Sequence, residues 1–193
     1  MSLQPPEATH IFWIWEKKLD FNLFTMEEIM ENTLYAPWRN EYVAGAKDVG
    51  CVFCHITQNP DLDSEHHVLY RDEYCFMVMN RYPYTPGHFM IIPHHHTDAL
   101  ESLDPATWLH MTALAQRGVR MLKESLGAHG VNIGMNLGRA GGAGIAEHIH
   151  LHLVPQWERD TNFITSIAQT RVYSTDFERI YLKLKEVLPS YLI

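Results

Sequence analysis

Long apolar runs are missing from this 193-residue chain. No stretch reaches the roughly 18 residues that a membrane-spanning helix needs. Positive charge is scarce as well. Lys and Arg number 15 against 23 Asp and Glu, for a net charge of −8 with His neutral. Nucleic-acid binding as the main business is therefore excluded, because neutralising phosphates takes clustered Lys and Arg. A small phosphorylated ligand held at a local site is not. Cysteine is sparse and odd in number: Cys51, Cys54 and Cys75. That excludes a disulfide framework and fits a reducing cytoplasm. A signal-peptide core is lacking too. Ile11-Phe12-Trp13-Ile14-Trp15 is short and aromatic, has no basic region before it, and runs into Glu16, Lys17 and Lys18. Internal repeats and low-complexity runs are absent.

What is present is a globular composition, 46% hydrophobic and 20% charged, enough for one domain with an extension. Residues 1 to about 25 read as the extension, either an arm that packs on a partner or a stretch outside the native start, with Met26 or Met30 as initiator. Residues 26–193 read as the domain. Met26 to Asn32 has a capping-box spacing, Thr25 with Glu28 three residues on, and suggests a short helix.

The most informative stretch is Glu147-His148-Ile149-His150-Leu151-His152-Leu153-Val154-Pro155-Gln156-Trp157. Three histidines alternate with three aliphatics. A β-strand sends successive side chains to opposite faces, so this spacing puts the imidazoles on one face and the aliphatics on the other. The aliphatic face reads as core. The histidine face reads as a site, since imidazole packs no better than Val or Thr would.

Around it the elements can be placed. His66–Tyr70 and Tyr74–Asn80 read as strands joined by Arg71-Asp72-Glu73, and Asn59 to Glu65 as a polar turn. Asn80 to Gly87 holds two prolines and a glycine, a loop. His88–Pro93 is a third strand running into His94-His95-His96, which read as a solvated loop with room for one ligand. Asp104 caps, and Pro105 opens, a long helix that ends at Gly127. Gly130–Leu137 is a fourth strand. Residues 175–188 form an amphipathic helix on Phe177, Ile180, Leu184 and Val187. Short turns between strands and few helices predict an antiparallel-dominated α+β domain.

Chemistry attaches to three places. Cys51 and Cys54, two residues apart, can aim two thiolates at one metal ion, though zinc wants four ligands; two small buried apolar residues is the plain alternative. A redox Cys-x-x-Cys would need a helix N-terminus in a βαβ unit, and the sequence suggests none. Gly138 to Gly144 is rich in glycine and lets backbone N–H groups approach an anion, although it fits neither standard phosphate-loop pattern. The histidines can serve as nucleophile, general acid or base, or metal ligand. A phosphorus electrophile held by the glycine loop suits them. A hydrolytic zinc on three His ligands is the competing use. It is awkward, because same-face residues on a strand stand about 7 Å apart.

His148-Ile149-His150-Leu151-His152-Leu153-Val154 resembles the signature of the histidine triad family, and the likeness runs from about Leu34 to about Leu188. Tyr35-Ala36-Pro37-Trp38-Arg39, Cys51-Val52-Phe53-Cys54, Asn80-Arg81-Tyr82-Pro83-Tyr84 with Pro86-Gly87-His88, and Asn136-Leu137-Gly138-Arg139 are similar to the bacterial diadenosine tetraphosphate phosphorylase branch. The resemblance implies an α+β fold with a mainly antiparallel sheet, one long helix and a C-terminal helix. It implies that His150 is the nucleophile on the α-phosphorus and that His152 assists by hydrogen bonding. It implies a structural zinc on Cys51, Cys54, His96 and His148. Asn80 would hold the ribose, Asn136 the phosphates, and Phe53, Ile56 and Trp157 would line the base pocket. Many members carry Gln-Ser or Gln-Thr just before the triad, where this chain has Gly144-Ile145. Backbone N–H groups of the glycine loop, at Gly142 and Gly144, would then meet the phosphate. The activity implied is transfer of a nucleotidyl group from a dinucleoside polyphosphate to phosphate, with hydrolase and phosphoramidase chemistry as alternatives and a non-catalytic nucleotide-binding module as the reading that an intact His150 argues against, in a cytoplasmic homodimer.

Overall fold

A computed structural model describes residues 50–158 and 176–192. The short helix expected at Met26 to Asn32, the Tyr35 to Arg39 segment and the boundary near residue 25 lie outside the described residues. Five strands form one antiparallel sheet: β1 (Val68–Arg71), β2 (Cys75–Met79), β3 (Phe89–Pro93), β4 (Gly130–Gly134) and β5 (Leu151–Gln156). Their order across the sheet is β1-β2-β3-β5-β4. Three helices of the described residues accompany it: α1 (Val52–Gln58), α2 (Pro105–Leu126) and α3 (Phe177–Val187). This is the α+β arrangement, and no described helix is long and apolar enough to cross a membrane.

β2 and β3 are buried at every position, which tells that both of their faces are covered. The register assigns the faces. Residues paired directly across antiparallel strands share a face. Val78 pairs with Met90, Met90 with His152, and His152 with Gly134. One step along, Met77 pairs with Ile91 and Ile91 with Leu151. The second set packs in the larger core with Met111, Leu114, Met121 and Leu122 of α2 and Ile180, Tyr181 and Leu184 of α3. Of the first set, Val78 and Met90 pack in a smaller cluster with Phe53 and Ile56 of α1, on the face that carries His152.

Both long helices form for the reasons their ends show. Asp104 accepts the Thr107 N–H at 3.0 Å, Pro105 opens α2, and Gly127 closes it with a left-handed φ of 66°. Asp176 accepts the N–H groups of Glu178 and Arg179 to start α3. α2 crosses the sheet at Gly118. A Cβ there would stand 2.8 Å from Phe89 Cζ and 3.0 Å from Leu153 Cδ2, so the helix approaches as closely as it does only because that position lacks a side chain.

Three expectations need correction. Residues 52–58 are helical and Pro60–Leu62 make a 3-10 turn, where the sequence suggested no helix beside the cysteines. β4 stops at Gly134 instead of Leu137, and β1 begins at Val68 instead of His66. The histidine stretch is strand only from Leu151. His148, Ile149 and His150 lie ahead of it, held by the Ile149 N–H donating to Thr97 O at 2.9 Å. The alternation still sorts the burial: Ile149, Leu151 and Leu153 enter the core with α2 and α3.

Candidate functional site

The two ends of the histidine stretch serve different neighbours. His148 is fully buried at 0% exposure. Its Nε2–H donates to Pro93 O at 2.9 Å, which turns Nδ1 toward the cysteines. There Nδ1 stands 3.4 Å from Cys51 Sγ, 3.8 Å from Cys54 Sγ and 3.3 Å from His96 Nδ1, and Cys54 Sγ is 3.1 Å from His96 Nδ1. The four donor atoms all lie within 4.8 Å of one another. Tetrahedral bonds of about 2.0–2.3 Å put neighbouring ligands about 3.3–3.8 Å apart, so the spacing fits one metal ion with little adjustment. The chemistry of the set fits as well. Burial and the adjacent Cys51 thiol push the Cys54 thiol up to about 11, a penalty that a divalent cation removes. Burial holds the His148 imidazole down to about 4, neutral as a ligand must be. The Pro93 carbonyl supplies the outer hydrogen bond that fixes a ligating ring.

Cys51 is the N-cap of α1 and Cys54 sits in its first turn. Phe53, between them, is buried and turns its ring against His148 (5.5 Å between centroids) and His150 (5.2 Å). Ile56 is buried in the same small cluster.

His150 and His152 face a third imidazole that the sequence reading passed over. His88 is fully buried just before β3. Its Nδ1 accepts the Tyr84 N–H at 3.2 Å, so its proton is on Nε2, which donates to His152 Nδ1 at 2.9 Å. That in turn leaves the His152 proton on Nε2. His150 has its own anchor: Nδ1–H donates to His148 O at 2.8 Å, and Nε2 keeps a lone pair. The His150 and His152 rings are 4.8 Å apart, edge to face. Burial depresses all three. His88 is held down to about 3 by burial and by His152 and His150. His152 is held down to about 4 by burial and His150. His150 is lowered by burial. At neutral pH the group is three uncharged imidazoles with defined tautomers. The signal for His88 was available, since it has the same parity along β3 as Met90, the partner of His152.

The remaining candidates are spread around this centre. Asn80 organises the β2–β3 loop: its Oδ1 accepts the Tyr82 N–H at 2.9 Å and its amide nitrogen lies against the His88 ring. Gly87 in that loop has φ 86°, and a Cβ there would stand 2.5 Å from Leu126 Cδ1. Asn136 and His152 line one cavity. In the glycine loop the Gly142 N–H is spent on Arg139 O and that of Ala143 on Gly138 O, so those amides hold the loop's own turns. Trp157 donates its indole N–H to Leu126 O at 3.4 Å, at the end of α2. Two of the three adjacent histidines were expected in solvent, but His94 bridges Thr57 Oγ1 and Asp72 O; only His95 remains exposed without a ligand-type partner among the described residues. Asp72, Cys75 and His110 also gather at the β1–β2 turn. There Asp72 Oδ1 accepts the N–H groups of Tyr74 and Cys75, and Oδ2 accepts from His110, which makes this group a turn cap.

A buried lone-pair nitrogen stands beside an oriented N–H, on a sheet flanked by a Cys₂His₂ quartet, an arrangement able to offer a neutral imidazole as nucleophile or base. The HIT domain family matches residues 61–159, and the chain belongs to that family. It is 36% identical over 146 residues to the AP-4-A phosphorylase of Mycobacterium tuberculosis, covering 72% of this chain and 75% of that one. Among solved structures it is similar to a Zn-bound histidine triad family protein from Mycobacterium smegmatis, with TM-score 0.60 and 34% identity over 73% of this chain and 94% of the other. It is also similar to a hypothetical histidine triad nucleotide-binding protein from Sulfolobus tokodaii, with TM-score 0.57 and 25% identity over 74% and 91%.

Proposed function

We propose that this protein is a nucleotidyl transferase that splits diadenosine tetraphosphate with phosphate as acceptor, giving ATP and ADP. The observation that carries the reading is the pair of fixed tautomers: His150 with a free Nε2 lone pair, and His152 with an N–H on Nε2. In the first half-reaction His150 Nε2 bonds to the α-phosphorus and the bond from that phosphorus to the bridging oxygen breaks. His152 Nε2–H steadies the departing oxygen of ATP. In the second half-reaction a phosphate oxygen attacks the same phosphorus, the N–P bond breaks, and ADP leaves with His150 restored. Neutral imidazole is the form this needs, and burial keeps His150 in it.

Asn80 is assigned to the ribose, Asn136 to the phosphates, and Phe53, Ile56 and Trp157 to the base pocket. Of these, Trp157 fits least well, since its indole is engaged with the end of α2. With the amides of Gly142 and Ala143 committed to the loop, the phosphate contact falls to Gly144 and the residues after it. Cys51, Cys54, His96 and His148 would hold a structural Zn²⁺, with four ligands and no open position. Bound there, zinc supplies a cross-link between α1, the segment after β3 and the triad. Metal analysis of protein purified without chelator is expected to give one zinc per chain. A homodimer in the cytoplasm completes the reading. The choice of phosphate over water as acceptor is supported by the name of the AP-4-A phosphorylase relative.

The test is to trap the intermediate. Protein quenched after mixing with labelled dinucleotide should carry AMP on His150 by mass, and added phosphate should discharge it as ADP. Discharge as AMP at a rate indifferent to phosphate would make the protein a hydrolase.

A further inference from the structure

α1 carries much for its length. Cys51 and Cys54 of the quartet stand at its start, and Phe53 and Ile56, assigned to the base pocket, lie within it. Yet it has seven residues, and Cys51 makes no side-chain cap bond. Isolated helices shorter than ~12–15 residues are marginal in water, so α1 stands where its neighbours hold it. Its last carbonyls show which neighbour does so. Arg71, at the end of β1, donates from Nη2 to Ile56 O at 2.9 Å and from Nη1 to Thr57 O at 3.5 Å. The same guanidinium donates from Nε and Nη2 to the two carboxylate oxygens of Asp63 at 3.0 and 2.6 Å. It lies over the ring of Phe76, its cross-strand partner on β2, 5.3 Å from the centroid. A cation at the last carbonyls also meets the negative end of the helix dipole. Arg71 and Asp63 side chains are only 18% and 25% exposed, so this is more than a solvated surface pair. A second contact works at the same end. The Thr57 hydroxyl donates to His94 Nδ1 at 3.2 Å, and the His94 ring stacks on Phe76 at 5.6 Å.

We propose that Arg71 is the positioning residue of α1: it fixes the last turn of that helix, and through it the places where Phe53 and Ile56 meet the nucleotide and the two thiols meet the metal. The inference rests on the reading of Phe53 and Ile56 as part of the base pocket. The fork is what the task needs. Two carbonyls and both oxygens of one carboxylate are met by a single planar group, which the compact ammonium of a lysine cannot do. None of the Arg71 contacts described above is with a triad histidine. Its loss therefore leaves the reacting atoms in place and falls on binding.

Arg71→Met keeps an apolar stem over Phe76 and removes the fork. With diadenosine tetraphosphate at saturating phosphate, it should raise KM about tenfold and leave kcat within about twofold. Arg71→Lys should recover only a small part of that loss. Titration of zinc-loaded protein with a chromophoric chelator should show about tenfold weaker metal affinity in Arg71→Met, a readout that needs no turnover. Asp63→Asn, which frees the guanidinium from its orienting carboxylate, should give a smaller rise in KM and add none to Arg71→Met. Leu114→Ala, in the core under α2, is the control for lost stability alone: its unfolding midpoint should fall while KM stays at the parental value. A folded Arg71→Met protein with parental KM and parental zinc affinity overturns the proposal, as does a Leu114→Ala protein whose KM rises equally. Should Arg71→Met fail to fold, parental KM in both Arg71→Lys and Asp63→Asn overturns it. The pocket reading fails separately: weaker zinc binding with a parental KM removes Phe53 and Ile56 from the base pocket and keeps Arg71 as the clamp on α1.

Discussion

The two faces of the sheet divide the work of the molecule. The face under α2 and α3 is apolar throughout and close-packed, to the point that Gly118 has no room for a methyl group. The other carries imidazoles, thiols and a short helix, and part of it is left uncovered by the described residues. The contrast teaches where each property resides. Dense packing on one side supplies stability through area removed from water, about 1.5–3 kcal/mol for each large aliphatic side chain. The sparse side can then hold three buried imidazoles, His88, His148 and His150, and the half-buried His152, which contribute little to that stability. Its apolar cluster has a chemical role as well, since the dryness around Phe53 and Met90 keeps the histidines uncharged.

This division can be broken from either side. His150→Ala should abolish transfer, by ~10⁴-fold or more in kcat, while the unfolding midpoint stays close to that of the parent. Leu153→Ala, on the opposite face of the same strand, should cost about 2–5 kcal/mol in denaturant unfolding and leave the folded protein able to form the adduct. If instead the two substitutions traded effects, the faces would not be separable. His88→Gln removes the relay that sets the His152 tautomer, and kcat should fall about 100-fold with KM nearly constant. The pH dependence is smaller and runs in one direction. His88 and His152 titrate near 3 and 4 when folded and near 6.5 when unfolded. The unfolded chain therefore binds more protons as pH falls below about 6.5. Stability should be flat above that pH and drop by about 1.4 kcal/mol per pH unit for each imidazole down to about pH 4. Guanidinium unfolding from pH 7.5 to 4.5 measures it, and a slope reduced in His88→Gln by about 1.4 kcal/mol per pH unit, with the His150 and His148 contributions remaining, identifies the His88 share. Trp157→Phe removes only an indole hydrogen bond to Leu126 O, worth about 0.5–1.5 kcal/mol. A rise in KM greater than tenfold would return Trp157 to the ligand.

Much of this was legible in the sequence where periodicity or capping carried the signal. Asp104-Pro105 and Gly127 mark α2 to the residue because cap chemistry is local. The period-two alternation through His148 to Leu153 assigns the faces correctly, since parity survives the change from coil to strand at Leu151. α1 was invisible for physical reasons. It has only seven residues, Cys51 makes no side-chain cap bond, and two buried positions, Phe53 and Ile56, are too few to show a helical period. It forms because the sheet offers it a surface. His88 and Tyr84 escaped notice because their meaning is relational. Each matters through a residue at the other end of the chain order, and the link is the β3–β5 pairing. His94 looked like one of three solvated rings until the β1–β2 turn brought Asp72 O within reach.

The two rims of the sheet differ as sharply as its faces. At β1 the Val68 and Leu69 carbonyls accept the Lys185 ammonium of α3 at 2.7 and 3.0 Å. A charged side chain thus sits where an incoming strand would have to pair. β4 carries no such guard among the described residues, and Ile133 on it is half exposed. Among the described residues, strand addition thus meets a charged side chain at one rim and none at the other. A sheet with a single open rim has a valency of one: pairing rim to rim with a second copy ends growth, giving a closed pair where two open rims would give a fibre.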